Sequence, residues 1–184
     1  QDALAASGRL QLGVAGMMLA PALVIAGIVL VPTNLRIWAA FGAAGPAELQ
    51  QGVQGFLHFM TNIALIQLRI AFCFLALVYL GVRVRRHDSG LHKRLMILAT
   101  TVPLPAALDR MTFLPHTLPN SPLTADLWPL FCIAPMFLWD LYRLRSVHRA
   151  YWIWAVFMVP TGIAINLLWD SSWWHAIAPG LLYR

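Results

Sequence analysis

The stretch LHKRLMILATTVPLPAALDR, residues 91–110, decides the fold that the sequence predicts. It opens with a basic HKR cluster, continues through fourteen uncharged residues and ends in Asp109 and Arg110. Two prolines, Pro103 and Pro105, interrupt the apolar run. At membrane depth such an interruption is tolerated only where protein or a water-filled cavity satisfies the freed backbone groups. The stretch therefore predicts a broken membrane helix near the centre of a helix bundle.

The composition favours a membrane protein over a soluble one. Of the 184 residues, 60% are hydrophobic and only 11% are charged, whereas a soluble domain carries about 25% charged residues. The exterior must therefore face lipid or other protein, and we predict one all-α, polytopic integral membrane domain over residues 1–184. The net charge of +6 comes from short basic clusters between apolar runs. This pattern indicates membrane topology and gives no support to nucleic-acid binding.

Five apolar stretches are candidates for membrane spans, since a helix needs about 20 residues to cross a hydrocarbon core of about 30 Å. They cover residues 10–31, 58–82, 95–111, 127–142 and 150–169. Residues 32–57 are more polar, and their GAAGPAEL segment predicts a turn followed by a helix start. The opening QDALAASGRL is typical of the end of an apolar segment, so we expect one more span before Gln1.

The basic residues predict the orientation. If the five spans alternate, the loops 83–94 and 143–149 lie on one side and the C-terminus lies on the other. The side that contains these two loops then holds most of the 13 Lys and Arg residues, namely Arg9, Arg83, Arg85, Arg86, Lys93, Arg94, Arg143, Arg145 and Arg149. Cytoplasmic loops carry such an excess. We therefore expect cytoplasmic basic loops and a C-terminus on the opposite side of the membrane.

Arg69 is a charge inside the second predicted span. A charge at the bilayer centre costs about 2.5–3.5 kcal/mol, so it usually has a partner. Three interpretations stay open: a structural ion pair, a contact with a ligand, lipid headgroup or quinone, and a proton or transport path. Asp109 is a candidate partner, although it lies about 10–15 Å away in depth at 1.5 Å per residue. If Asp109 does not reach Arg69, the partner of Arg69 must be a backbone carbonyl, Gln67 or a group from another molecule.

The remaining charges lie at the predicted membrane boundaries. Asp140 can pair with Arg143, with Arg145 or with the 83–94 cluster, Arg94 included. Together with Arg69, these residues form a predicted polar network of Arg69, Arg94, Asp109, Arg110 and Asp140. Paired carboxylates and a GxSxG motif are both absent from the sequence, so we predict no catalytic residue.

His92 and His148 are the candidate cofactor-binding residues. Haem iron takes axial histidines, and both residues lie at the predicted inner boundary. The sequence contains no HExxH or CxxCH motif, and Cys73 and Cys132 are far apart. We therefore expect no metal site and no bound cofactor, with haem or quinone kept as an alternative.

Two segments carry a family resemblance. LHKRLMILATTVPLPAALDRM and, further on, APMFLWDLYRLRSVHRAYW resemble a family of small polytopic bacterial inner-membrane proteins without an assigned activity. The resemblance covers residues 71–154 and implies a location in the bacterial inner membrane, with a periplasmic C-terminus, and a helix before Gln1. It does not extend to Arg69 or to the residues after Leu12. The positions that match its pattern are His92, Arg94, Arg110, Asp140 and His148.

These observations predict a non-enzymatic protein that works by packing. We expect an accessory or stabilising subunit of a larger inner-membrane complex, respiratory or photosynthetic, in contact with lipids and with other membrane subunits. The alternatives are a redox protein that binds haem or quinone, and a small transporter or channel that uses Arg69 and the broken third helix.

Overall fold

The computed structural model describes the backbone of residues 2–182 and the side chains of residues 14–182. In this part of the chain all regular secondary structure is helical, which confirms the predicted all-α class. The helices are α1 (Asp2–Ala44), α2 (Ala47–Val84), α3 (Ser89–Thr101), α4 (Pro105–Leu108), α5 (Leu123–Leu144), α6 (Arg149–Leu168) and α7 (Ser172–Leu182).

The first two helices form a long hairpin. Helix α1 runs through both Pro21 and Pro32 to Ala44, so the predicted end of the first helix near residue 31 is wrong. A single proline removes one donor, and membrane-type helices tolerate it where nearby side chains satisfy the backbone. The predicted turn in GAAGPAEL is confirmed, because α1 and α2 are separated only by Gly45 and Pro46.

The predicted break in the third helix is also confirmed. Helix α3 ends at Thr101 and the short α4 begins at Pro105. The backbone between them closes tight turns, with Val102 N donating to Ala99 O at 3.1 Å and Leu104 N donating to Thr101 O at 3.2 Å. The chain itself thus satisfies much of the backbone that the two prolines disturb.

The C-terminal half differs from the sequence prediction in two places. The predicted span of residues 127–142 begins earlier than expected, because α5 begins at Leu123 and places Asp126 in its first turn. The tail forms helix α7. Trp174 on this helix is 5% exposed, and its indole donates to the Thr61 carbonyl at 2.9 Å.

Three helical segments are long and apolar enough to cross a membrane: Val14–Ala44 within α1, Ala47–Val84 (α2) and Arg149–Leu168 (α6). Large apolar side chains cover the outside of these helices, including Leu19, Phe72 and Leu167 at 67%, 57% and 76% exposure. An exterior of this kind suits lipid, and it supports the prediction of a membrane protein.

The buried apolar side chains form two clusters stacked along α2 and α6. The first, core A, joins α1, α2, α3, α5 and α6 around Leu77, Leu95 and Trp154. The second, core B, joins α1, α2, α5, α6 and α7 around Leu65 and Trp174. Ile70 packs against both cores. Along α2 the residues of core B end at position 66 and those of core A resume at position 73, so a separate layer lies between them.

Candidate functional site

That layer contains a polar cluster built on Arg69. Arg69 on α2 is 4% exposed, and its guanidinium donates to the carboxylate of Asp126, which α5 supplies from its first turn. Asn166 on α6 donates to the other oxygen of Asp126 at 3.1 Å and to the Gly162 carbonyl at 3.0 Å. We call Arg69, Asp126 and Asn166 the midhelix cluster. It joins three helices through one carboxylate.

The partner of Arg69 is thus Asp126, which lies just before the predicted span of residues 127–142 and was not named as a candidate. Asp109, the candidate named from the sequence, does not reach Arg69: one of its carboxylate oxygens is buried without a hydrogen-bond partner. The missed signal was the segment that follows Pro122, because an acidic residue early in an apolar run is typical of the first turn of a helix.

A second polar cluster surrounds Asp140, which is 4% exposed. Arg94 on α3 binds it through two parallel hydrogen bonds, Nε to Oδ2 at 2.7 Å and Nη2 to Oδ1 at 2.6 Å. The hydroxyl of Tyr151 on α6 also donates to Oδ2 at 2.7 Å. Paired hydrogen bonds between guanidinium and carboxylate are among the strongest in proteins. This Asp140 cluster ties α3, α5 and α6 together.

The two predicted cofactor ligands both contact the protein backbone. His92 Nδ1 lies 2.8 Å from the Gly81 carbonyl, and His148 caps helix α6 by accepting a hydrogen bond from Ala150 N at 3.2 Å. Burial and the nearby Arg94 lower the pKa of His148, so its ring favours the neutral form. One nitrogen of each ring is engaged in this way. The haem or quinone assignment stays a prediction.

A cavity of about 850 Å³ lies beside the broken helix, between α1, α2 and the loop after α4. Its lining is mixed, with aromatic Trp38 and Phe59 next to polar Asn34, Asp109 and His116. An apolar groove of about 590 Å³ lies alongside, and both spaces are bordered by Val31, Gln67 and Ala106. Arg110, the other predicted network residue here, borders the cavity and donates to the Ala106 carbonyl.

A third polar cluster was not predicted at all. His58 on α2, Asp170 in the turn between α6 and α7, and His175 on α7 come together, and we call them the histidine–aspartate cluster. His58 Nε2 lies 3.0 Å and His175 Nε2 lies 3.7 Å from the same Asp170 oxygen. The sequence showed no spacing motif because 112 residues separate His58 from Asp170.

The surroundings of this cluster fix its protonation states. Burial acts to raise the pKa of Asp170, but hydrogen bonds from Asn62 and His58 outweigh it and hold that pKa below the ordinary value. Burial, together with the neighbouring His58, lowers the pKa of His175. The cluster therefore combines an ionised carboxylate with at least one imidazole that favours the neutral form, which is a set of groups able to bind a cation.

Comparisons with known proteins do not assign the chain to a class. No family model matches the chain, and neither a curated protein nor a solved structure is similar to it at a significant level. The resemblance of residues 71–154 to a family of inner-membrane proteins stays a prediction.

Proposed function

We propose that the protein is a five-span bacterial inner-membrane protein that acts as a non-enzymatic accessory subunit of a larger respiratory or photosynthetic complex. The observation that carries the proposal is the uncovered surface of α1. Only 11% of the most apolar 18-residue stretch of this helix is buried inside the chain. Ile25, Val29 and Ile37 are each more than half exposed. One long helix is thus available to a partner along most of its length.

The apolar groove next to α1 supports a helical partner. Gly27 borders this groove, and a Cβ atom added there would meet nothing within 4 Å. Small residues at such positions let a second helix approach closely in lipid, where packing drives association. The groove volume of about 590 Å³ is large enough for several apolar side chains of a partner helix.

Co-purification from native membranes in mild detergent tests the proposal. We expect the wild-type protein to migrate in a particle larger than the free chain. The Gly27→Leu variant should no longer associate with this particle, because the leucine fills the groove. Gly55→Leu is the matched control, since a Cβ at Gly55 also meets nothing within 4 Å and Gly55 does not border the groove. A wild-type protein found only as a free monomer overturns the proposal.

A second candidate function is a redox protein that holds a quinone. The mixed cavity of about 850 Å³ favours it, because the buried, unpartnered oxygen of Asp109 can accept a hydrogen bond from a hydroxyl of the reduced quinol headgroup. The adjoining apolar groove suits an isoprenoid tail. Extraction of the purified protein with organic solvent, together with a visible spectrum, tests this candidate. Quinone in the extract supports it, and an extract without quinone from a protein that lacks visible bands overturns it and the haem alternative together.

A further inference from the structure

The histidine–aspartate cluster brings three metal-binding atoms together from distant parts of the chain. The Nε2 atoms of His58 and His175 and a carboxylate oxygen of Asp170 all lie within 4.8 Å of one another. The two imidazole rings are parallel, with an interplanar angle of 3° and centroids 3.9 Å apart. The Nε2 atom of each ring lies near the same carboxylate oxygen of Asp170.

The distances between these atoms suit a tetrahedral ion. Zinc binds histidine nitrogen at about 2.0–2.1 Å and carboxylate oxygen at about 2.0–2.2 Å, so neighbouring ligand atoms lie about 3.3 Å apart. The observed distances from Asp170 Oδ1, 3.0 Å to His58 Nε2 and 3.7 Å to His175 Nε2, lie on either side of that value. Binding of one ion also requires at least one imidazole to rotate, because an ion lies in the plane of each ring that binds it and the two rings are parallel in the structure.

Hydrogen bonding alone leaves this cluster incomplete. His175 Nε2 is buried and has no hydrogen-bond partner. The Asp170 oxygen that it approaches already accepts from Asn62 Nδ2 at 2.5 Å and lies 3.0 Å from His58. A bound cation would give the buried nitrogen a partner, which the carboxylate oxygen at 3.7 Å does not.

The surrounding residues hold the carboxylate as they do in known metal sites. Asn62, which is 2% exposed, donates to the Asp170 side chain and accepts from the Asp170 backbone N at 3.3 Å. Metal-binding carboxylates are usually oriented by such a second hydrogen bond. Asp170 also adopts a left-handed backbone conformation, with φ of 56°, and these contacts keep its side chain directed at the two histidines.

We propose that His58, Asp170 and His175 bind one divalent transition-metal ion, with Zn²⁺ as the best match, and that the ion clamps α7 to α2. Two imidazoles and one carboxylate suit zinc and other borderline metals better than Mg²⁺ or Ca²⁺, which prefer oxygen ligands. His58 and Asp170 have half-exposed side chains, so the fourth position is open to water. The proposal is independent of the accessory-subunit function.

Zinc titration of the purified full chain tests the site. The protein is treated with chelator in detergent, and Zn²⁺ binding is followed by calorimetry with Mg²⁺ as the comparison ion. We expect one Zn²⁺ per chain, no measurable Mg²⁺ binding and a higher melting temperature with Zn²⁺. Substituted Co²⁺ should give the visible bands of a tetrahedral ion.

Matched variants separate this site from adventitious binding. His58→Ala removes a half-exposed ligand and should weaken Zn²⁺ binding at least 100-fold, whereas His87→Ala, at an exposed histidine of the α2–α3 turn, should leave it unchanged. Asp170→Asn should weaken binding as well while retaining the fold, because asparagine accepts the left-handed conformation. Equal Zn²⁺ binding by wild type and His58→Ala overturns the proposal, as does a folded wild type, checked by circular dichroism, that binds no Zn²⁺.

Discussion

At the scale of single residues, Asp140 shows how much one buried carboxylate can organise. It accepts from Arg94 on α3 and from Tyr151 on α6. Asp140 and the 83–94 basic cluster could be singled out from the sequence because a charge is conspicuous in an apolar chain. Tyr151 could not, because its hydroxyl belongs to an aromatic run in which nothing marks one ring as a hydrogen-bond donor.

We expect Asp140→Asn to lower the free energy of unfolding by about 3 kcal/mol, because it leaves Arg94 without its charged partner in a partly buried site. Arg94→Gln should cost a similar amount. The double variant should lose less free energy of unfolding than the two single variants lose together, with a coupling energy of about 1–3 kcal/mol. Denaturant unfolding in mixed micelles measures all three, with the exposed Glu48→Gln as the control. Strictly additive losses would contradict the assigned pair.

At the scale of helices, the prolines explain where prediction succeeded and where it failed. Two prolines spaced two residues apart, Pro103 and Pro105, end α3, as the sequence indicated. Pro32 does not end α1. A single proline removes one helical hydrogen bond, whereas Pro103 and Pro105 remove two within one turn. A single proline in an apolar run is therefore a weak signal for a helix end.

The hairpin of α1 and α2 supplies a prediction at this scale. A Cβ added at Gly42 would lie 2.6 Å from Val53 Cγ1 and 3.0 Å from Val53 Cβ. Gly42→Ala should therefore destabilise the protein by about 1–3 kcal/mol through overpacking. At Gly52 a Cβ meets nothing within 4 Å, so Gly52→Ala should be neutral or stabilising by up to about 1 kcal/mol.

Thermal unfolding in detergent compares these two variants directly. Val53→Ala, introduced together with Gly42→Ala, should recover part of the lost stability because it removes the atom that the new Cβ meets. If Gly42→Ala melts no lower than Gly52→Ala, the close approach of the two helices is not the limiting contact.

At the scale of the whole molecule, composition and charge predicted the membrane class but not how the helices pack. Apolar runs identify the segments that can lie in lipid. The contact between Arg69 and Asp126, or between His58 and Asp170, depends on how distant helices are placed side by side. Neither pair has a local pattern, which is why the sequence named only one member of the first pair and neither residue of the second as a site.

The number of spans can be measured with three single cysteines in a background without Cys73 and Cys132. The positions are Ser89, Asn120 and Ser146, which lie outside the regular apolar stretches and are exposed. In the proposed five-span topology, an impermeant thiol reagent added to intact spheroplasts labels Asn120→Cys. Ser89→Cys and Ser146→Cys react only after the membrane is opened. If only α1, α2 and α6 crossed, all three positions would react from one side.

The midhelix cluster has a consequence for how the protein comes apart. It lies between core A and core B, at the level where the buried residues of α2 pass from one core to the other. A polar layer between two apolar clusters fixes the register of α2 against α5 and α6, because a shift of one residue would separate Arg69 from Asp126. We expect it also to separate two cooperative units with different free energies of local opening. Hydrogen exchange should then be faster for the amides of α7 than for those of Leu77, Leu95 and Trp154, with the Arg69–Asp126 pair at the boundary between the two regions.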